Sequence, residues 1–198
     1  MTDRPARRPF YWEEPRFTPD ATGRVRQLPP GDELAALRRG LSQLPGTVPA
    51  MWRFYSTWQD GQYNRWGLAA EHHSLTLFAV HQQSQNYFVH RKGVPFGKAI
   101  RALHSRFNEA AVDRRFFAAV TATEVSEVAY HLRGLLRQTH ASNVPPSPFD
   151  YTRLWSDLAS WGVPERRSQA QRRWGLAYYG SSGPQGPDAT APTTEGDQ

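Results

Sequence analysis

The chain has no cysteine. That excludes a disulfide scaffold, a cysteine nucleophile, a zinc finger and an iron–sulfur centre, and it suits a reducing compartment. No apolar run approaches the roughly 20 residues a membrane span requires. The opening MTDRPARRPFYWEEP lacks the apolar stretch of a secretory signal. The expectation is a cytoplasmic protein with no membrane partner. Lysine is almost missing as well: Lys92 and Lys98 are the only two, so arginine supplies the other 22 of the 24 basic residues. Acids are sparse. Asp113, Glu124, Glu127, Asp150, Asp157 and Glu165 fall at helix caps or on helix surfaces, and no carboxylate pair is placed to hold the two metals of a nuclease. No nucleophile has a positioned base. The expectation is a protein that is not an enzyme, with no metal and no cofactor.

What the sequence does have is positive charge, unevenly spread. Its 198 residues, one domain or two small ones sharing a core, carry a net charge of +6. The last eighteen residues, 181–198, hold Asp188, Glu195 and Asp197 and no basic residue. That tail is low in complexity and has no large apolar residue, so it reads as disordered. Residues 31–180 therefore keep an excess of arginine. A basic folded body with an acidic tail points to a polyanionic partner. The alternative is an ordinary soluble surface that happens to be rich in arginine.

The periodicity is helical almost throughout, and no stretch alternates as a strand does. Asp32 is placed to cap a helix with Leu34, Leu37, Leu41 and Leu44 on one face, ended by Pro45-Gly46. A short helix is predicted over 50–58, a long buried one over 66–83, and others over 96–107 and 111–120. Thr121 and Glu124 have capping-box spacing ahead of Val125, Val128, Ala129, Leu132, Leu135 and Leu136, the clearest stripe in the chain. Two more helices follow, one from Asp150 and one from about Glu165 to Tyr179. The fold class is all-α, a bundle of about seven to nine helices. Residues 1–31 read as an irregular arm with scattered aromatics, open to packing in part, 32–180 as the bundle domain, with a sub-boundary in the Pro-rich loop at 143–148.

Two motifs invite chemistry. The helical spacing brings His72, His73 and His81 onto one helix, but there is no HExxH, and they read as surface histidines. Gly93-Val-Pro-Phe-Gly97-Lys98 approaches a phosphate-binding loop. It has three residues between the glycines where the Walker pattern needs four, and Ala99 stands where a metal-ligating hydroxyl belongs. It reads as a turn entering a helix; the other reading is a helix start whose amides touch one phosphate.

The arginines carry the main argument. Arg38-Arg39, Arg91-Lys92, Lys98/Arg101, Arg114-Arg115, Arg133/Arg137, Arg166-Arg167 and Arg172-Arg173 fall about one group per helix or connector. Lys98 and Arg101 are three apart and Arg133 and Arg137 four apart, so each pair shares a helix face. Such a set builds a basic track over several helices that follows a nucleic-acid backbone and reads no sequence. The rivals are a helical scaffold whose arginines pair with acidic partner surfaces, and a helix-turn-helix reader using residues 124–138.

Four blocks carry a family resemblance: LRRGLSQLPGTVPAMWRFY (37–55), GVPFGKAI (93–100), VDRRFFAAVTATEVSEVAYHLRGLL (112–136), and DYTRLW with WGVPERRSQAQRRWGLAYY (150–179). In this order the chain resembles the CasB family, the small subunit of the type I-E CRISPR surveillance complex, Cascade. The resemblance implies an all-helical, non-catalytic subunit within a crRNA-containing complex and its other protein subunits. Two copies would lie beside the guide–target heteroduplex, their basic surfaces holding the target and displaced DNA strands. On this resemblance Arg38 and Arg39 match a basic pair, Lys98 a basic position after the glycine, and Arg114 and Arg115 a pair before the aromatic helix, Arg115 ranking first. Arg133 matches the first of two adjacent arginines in some relatives. The second is Gly134 here, with Arg137 one turn later. A basic pair after Trp-Gly is replaced by Val163-Pro164, and Arg166-Arg167 follow slightly later. Arg172, Arg173 and Trp174 match the end of the family pattern, where the tryptophan reads as core.

Overall fold

A central helix hydrophobic on almost every side must be wrapped by others, and the computed structural model, which describes residues 8–17, 27–58, 65–141 and 147–180, is built that way. Its helices are α1 (Gly31–Arg38), α2 (Arg65–Gln82), α3 (Phe96–Arg101), α4 (Glu109–Thr121), α5 (Val125–Ala141), α6 (Tyr151–Ala159) and α7 (Pro164–Tyr179). Short 3-10 turns lie at Tyr11–Glu13, Pro15–Phe17, Pro49–Phe54 and Ala102–Ser105. Among the described residues there is no strand, only an isolated backbone bridge between His90 and Phe149. α2 is the hub. From Leu75 to Gln82 every residue is buried, and α1, α5 and α6 all pack on it, α4 on α5, and α7 on α3.

α2 also buries polar groups, which is costly unless each finds a partner. Glu71 accepts from the Ser56 amide at 2.6 Å and from the Thr57 amide at 2.8 Å. His72 sits between the Tyr55 hydroxyl at 2.7 Å and the Gly40 carbonyl at 3.0 Å. His81 meets the Tyr151 hydroxyl at 2.9 Å. Gln82 donates to the Tyr87 carbonyl and accepts from the Val89 amide. One helix thus fastens four separate segments, at residues 40, 55–57, 87–89 and 151. The expectation of surface histidines is overturned for His72 and His81, which are wholly buried. Burial pushes the His72 imidazole below its ordinary pKa and the Tyr55 phenol up to about 12.

Residues 8–17 are irregular, as expected, but they are part of the core. Phe10, Tyr11, Trp12 and Phe17 are all essentially fully buried. The Tyr11 ring meets Phe54 and Phe78 edge-on, at 5.2 and 5.8 Å. Its hydroxyl donates to Glu33 at 2.7 Å, and the Trp12 indole N–H donates to Thr152 at 3.0 Å. Side chains of this size are worth about 1.5–3 kcal/mol each when buried.

Several predicted boundaries are corrected. α1 ends at Arg38, and after a few turn residues the chain leaves the helical path at Ser42, whose φ is 65°; Leu44, expected on the buried stripe, is 73 % exposed. The helix expected over 50–58 is the 3-10 turn Pro49–Phe54. The one expected over 96–107 becomes α3 and a 3-10 turn. The capping box does not form: Thr121 is the last residue of α4, and its hydroxyl donates back to the Phe117 carbonyl at 2.8 Å. Asp150 does cap α6, accepting from the Arg153 amide at 3.0 Å. The acidic tail and most of the 143–148 loop lie outside the described residues.

Candidate nucleic-acid interface

The ten predicted basic residues lie on five helices and the turn after α1. Arg39, Lys98, Arg114, Arg115, Arg137 and Arg166 are exposed, and Arg38, Arg101, Arg133 and Arg167 are half-buried. Their side-chain partners decide what charge is available. Arg38, Arg39, Lys98, Arg114, Arg137 and Arg166 make no side-chain hydrogen bond or ion pair with a described residue. The other four are held by side-chain hydrogen bonds. Arg115 donates to the Gln138 amide oxygen across α4 and α5. Arg133 donates to the Ser42 hydroxyl at 3.1 Å, and its guanidinium carbon lies 5.5 Å from the Tyr130 ring centroid. Arg167 donates to the Thr123 carbonyl at 3.3 Å. Arg101 donates to His104 at 2.7 Å and lies over the Tyr178 ring at 5.7 Å.

None of the ten is ion-paired with a described acid. The two ion-paired arginines in the described set are others: Arg16 with Glu14 and Glu33, and Arg173 with the buried Asp157 at 2.5 Å. Asp157 also accepts from the Trp174 indole N–H at 2.7 Å, which holds that buried tryptophan in the core. Arg101 differs from the rest in its surroundings. Its partner His104 meets Asp113 at 2.9 Å, and Asp113 accepts from the Tyr178 hydroxyl at 2.5 Å. A carboxylate so near offsets part of the field Arg101 projects; burial, joined by the bond to Asp113, drives the Tyr178 phenol well above its usual range.

The structure brings some of these groups together. The Arg133–Ser42 bond lays the turn that follows Arg38 and Arg39 against α5, and Arg137 continues that face one turn on. The Arg115–Gln138 bond ties the Arg114–Arg115 pair to the other side of α5. Lys98 sits on α3, which packs along α7 with Arg172 exposed. The segment 93–98 takes no part in phosphate binding of the Walker kind. The Gly93 amide, at φ +80°, donates to the Asp150 carboxylate at 2.8 Å, so an anion already occupies it. Gly97 serves packing: a Cβ there would collide with the Trp174 carbonyl. Among the described residues no three His, Asp or Glu side chains lie together to hold a metal, and no helix is long and apolar enough to cross a membrane.

Tyr130 escaped the sequence reading. It is 63 % exposed on α5, off the apolar stripe of that helix; an aromatic outside the stripe and three residues before an arginine was the available signal.

Residues 33–179 match the family of CRISPR-associated protein Cse2. The chain belongs to this family. A CRISPR-associated protein Cse2 of Thermus thermophilus is 28% identical over 148 residues, covering 74% of this chain and 78% of that one. Among solved structures, CasB from Thermobifida fusca superposes with a TM-score of 0.59 at 26% identity, covering 75% of this chain and 84% of its own. M. ruber CasB gives 0.60 at 26% identity, covering 79% and 89%. The matched span carries all ten basic candidates and all seven helices except the first two residues of α1.

Proposed function

We propose that this Cse2-family chain is the non-catalytic small subunit of a type I-E CRISPR surveillance complex, Cascade, and that it binds nucleic-acid backbone without sequence preference. In that role it stabilises the R-loop, holding target and displaced DNA strands beside the crRNA in the cytoplasm, in two copies and in contact with the other protein subunits. The observation that carries the reading is the state of the basic side chains: ten predicted contacts on five helices and a turn, none ion-paired with a described acid and only Arg101 lying near one, Asp113, through His104. Cations without an acidic partner, three of them held by an amide, a hydroxyl and a carbonyl, are ready for phosphate oxygens. They come from separate helices, which supports tracking of a backbone over readout of bases. Opening a duplex against a guide is nearly balanced, at about 1.4 kcal/mol of stacking per base-pair step in the related Cas9 case, so a few backbone contacts tip it.

The test is fluorescence anisotropy with single- and double-stranded DNA of unrelated sequences at two salt concentrations. Binding should be sequence-blind and salt-sensitive, and Arg115→Ala and Arg133→Ala should weaken it without loss of helicity. Equal binding by both variants would remove the assigned track. A helical scaffold pairing with acidic proteins is the second reading. It is favoured by the exposed Phe117, Leu176 and Tyr179 on α4 and α7, and it predicts partner binding indifferent to nucleic acid.

A further inference from the structure

A groove of about 300 Å³ opens between the turn at residues 40–45 and α5, floored by Thr76 and Leu77 of α2. Two of its walls are unusual. Leu44 is 73 % exposed and Tyr130 is 63 % exposed, yet both line this one concavity. An aromatic and an aliphatic side chain held open around a concave site are what ligand pockets present, with a few polar groups to fix orientation. Here those polar groups are the Ser42 hydroxyl, the Gln43 amide, the Ser126 hydroxyl and the His73 imidazole. All are uncharged at neutral pH: burial, with His72 and Arg133 nearby, holds His73 down at about 4. No carboxylate lines the groove, and its one charge is Arg133.

We infer that this groove receives a single unpaired nucleobase, stacked on Tyr130, while Arg133 takes the adjoining phosphate. This rests on the nucleic-acid reading above and deepens it, adding a base-stacking pocket to a backbone track. The chemistry fits a base better than an acidic peptide. A peptide carboxylate would find one cation and several neutral groups. A base offers a π-face to Tyr130 and donors and acceptors on its edge to Ser42, Gln43, His73 and Ser126. Stacking tolerates every base because every base has a π-face, so the pocket leaves the protein sequence-blind. It does favour unpaired over paired nucleotides, since a base inside a duplex is already stacked and cannot enter.

The test uses the full chain and short single strands carrying one 2-aminopurine at the centre, with matched strands carrying one abasic position there. On wild type the 2-aminopurine emission should change on binding. Tyr130→Ala should abolish that change and weaken binding by about five- to a hundredfold. Tyr130→Phe should keep both, because the ring remains. Tyr130 is exposed, so the alanine variant should melt like wild type; a circular-dichroism melt checks this. If Tyr130→Ala leaves emission and affinity as in wild type while salt-sensitive binding persists, the pocket is refuted and the backbone track stands. Tight binding of strands by both Tyr130→Ala and Tyr130→Phe with loss of emission change in both would likewise refute stacking by the ring. If wild type binds neither strand at low salt, the nucleic-acid reading falls and the pocket with it.

Discussion

Gly134 offers a gain-of-function test of the track. It lies in the middle of α5, exposed, with nothing within 4 Å of where a Cβ would stand. It is flanked by Arg133 on one side and by Arg137 one turn later. Gly134→Arg should do two separable things. Replacing glycine in an exposed helix interior is worth about 0.8–1 kcal/mol toward the helix, less about 0.2–0.5 kcal/mol for the like charge at Arg137. The net is about half a kcal/mol of stabilisation. If the Arg133–Arg137 face follows a single strand, the new cation adds one phosphate contact. It steepens the dependence of log affinity on log salt by about 0.7. Between 50 and 200 mM salt the variant should then lose about two- to threefold more affinity than wild type does, starting from tighter binding. Gly134→Ala is the control: it should gain stability and leave the slope unchanged. Anisotropy titrations over a salt series and a thermal melt read both quantities. Should Gly134→Arg gain stability but show the slope of Gly134→Ala, this face of α5 is off the backbone path, and Arg133 and Arg137 leave the contact set.

Three further outcomes follow from the fold. Gly97→Ala, which drives a methyl into the Trp174 carbonyl where α3 crosses α7, should destabilise by about 1–3 kcal/mol in a urea melt; an unchanged midpoint would mean that crossing has slack. Trp12→Ala removes a fully buried indole and its bond to Thr152, and should cost about 3–5 kcal/mol; a loss under 1 kcal/mol in the same melt would show that the segment 8–17 is not part of the cooperative core. His73 is held at about 4 in the fold against about 6.5 when unfolded. As pH falls the unfolded chain takes the proton first, so stability is full above about 6.5 and declines toward 4. His73→Gln should flatten that decline between pH 7 and 5, and parallel midpoints for variant and wild type would contradict the assignment.

The helical class and the strong stripes were legible because they depend on local periodicity. The apolar positions Val125, Val128, Ala129, Leu132, Leu135 and Leu136 became the inner face of α5, five of them almost fully buried and Val125 nearly so. What failed was tertiary. Nothing local announces that Phe10, Tyr11, Trp12 and Phe17 fill the core, because 3-10 turns carry no long repeat; only the density of aromatics hints at it. Leu44 had the right spacing for α1, yet the chain turns before reaching it, at Ser42 with its φ of 65°, and nothing in the local repeat marks that residue as a turn. The buried histidines of α2 look in the sequence like surface ones, since their partners Tyr55, Gly40 and Tyr151 are 17, 32 and 70 residues away. The arginine clusters were visible as clusters. Which of them are neutralised was not, because that depends on whether an acid such as Asp157 or Asp113 folds back onto them.

That distinction also bears on the helix-turn-helix alternative. A reader of base edges presents one helix to the major groove with its polar residues gathered there. α5 is held between α2 and α4, and of its exposed positions, Ser126, Glu127, Tyr130, Gly134 and Arg137, only the last is a cation. Ser126 is short, Glu127 is of the wrong sign for phosphate, and Gly134 has no side chain. Meanwhile the unneutralised cations are shared out among α1, α3, α4, α5 and α7. A groove-reading helix would concentrate them; a surface that follows a strand over several helices must distribute them. Asp157 is spent on Arg173 and Trp174 and Asp113 on His104 and Tyr178, while Arg115, Arg133 and Arg167 meet only an amide, a hydroxyl and a carbonyl. On the proposed reading, binding to nucleic acid should depend on charge spacing and strand exposure, and hardly at all on the order of the bases.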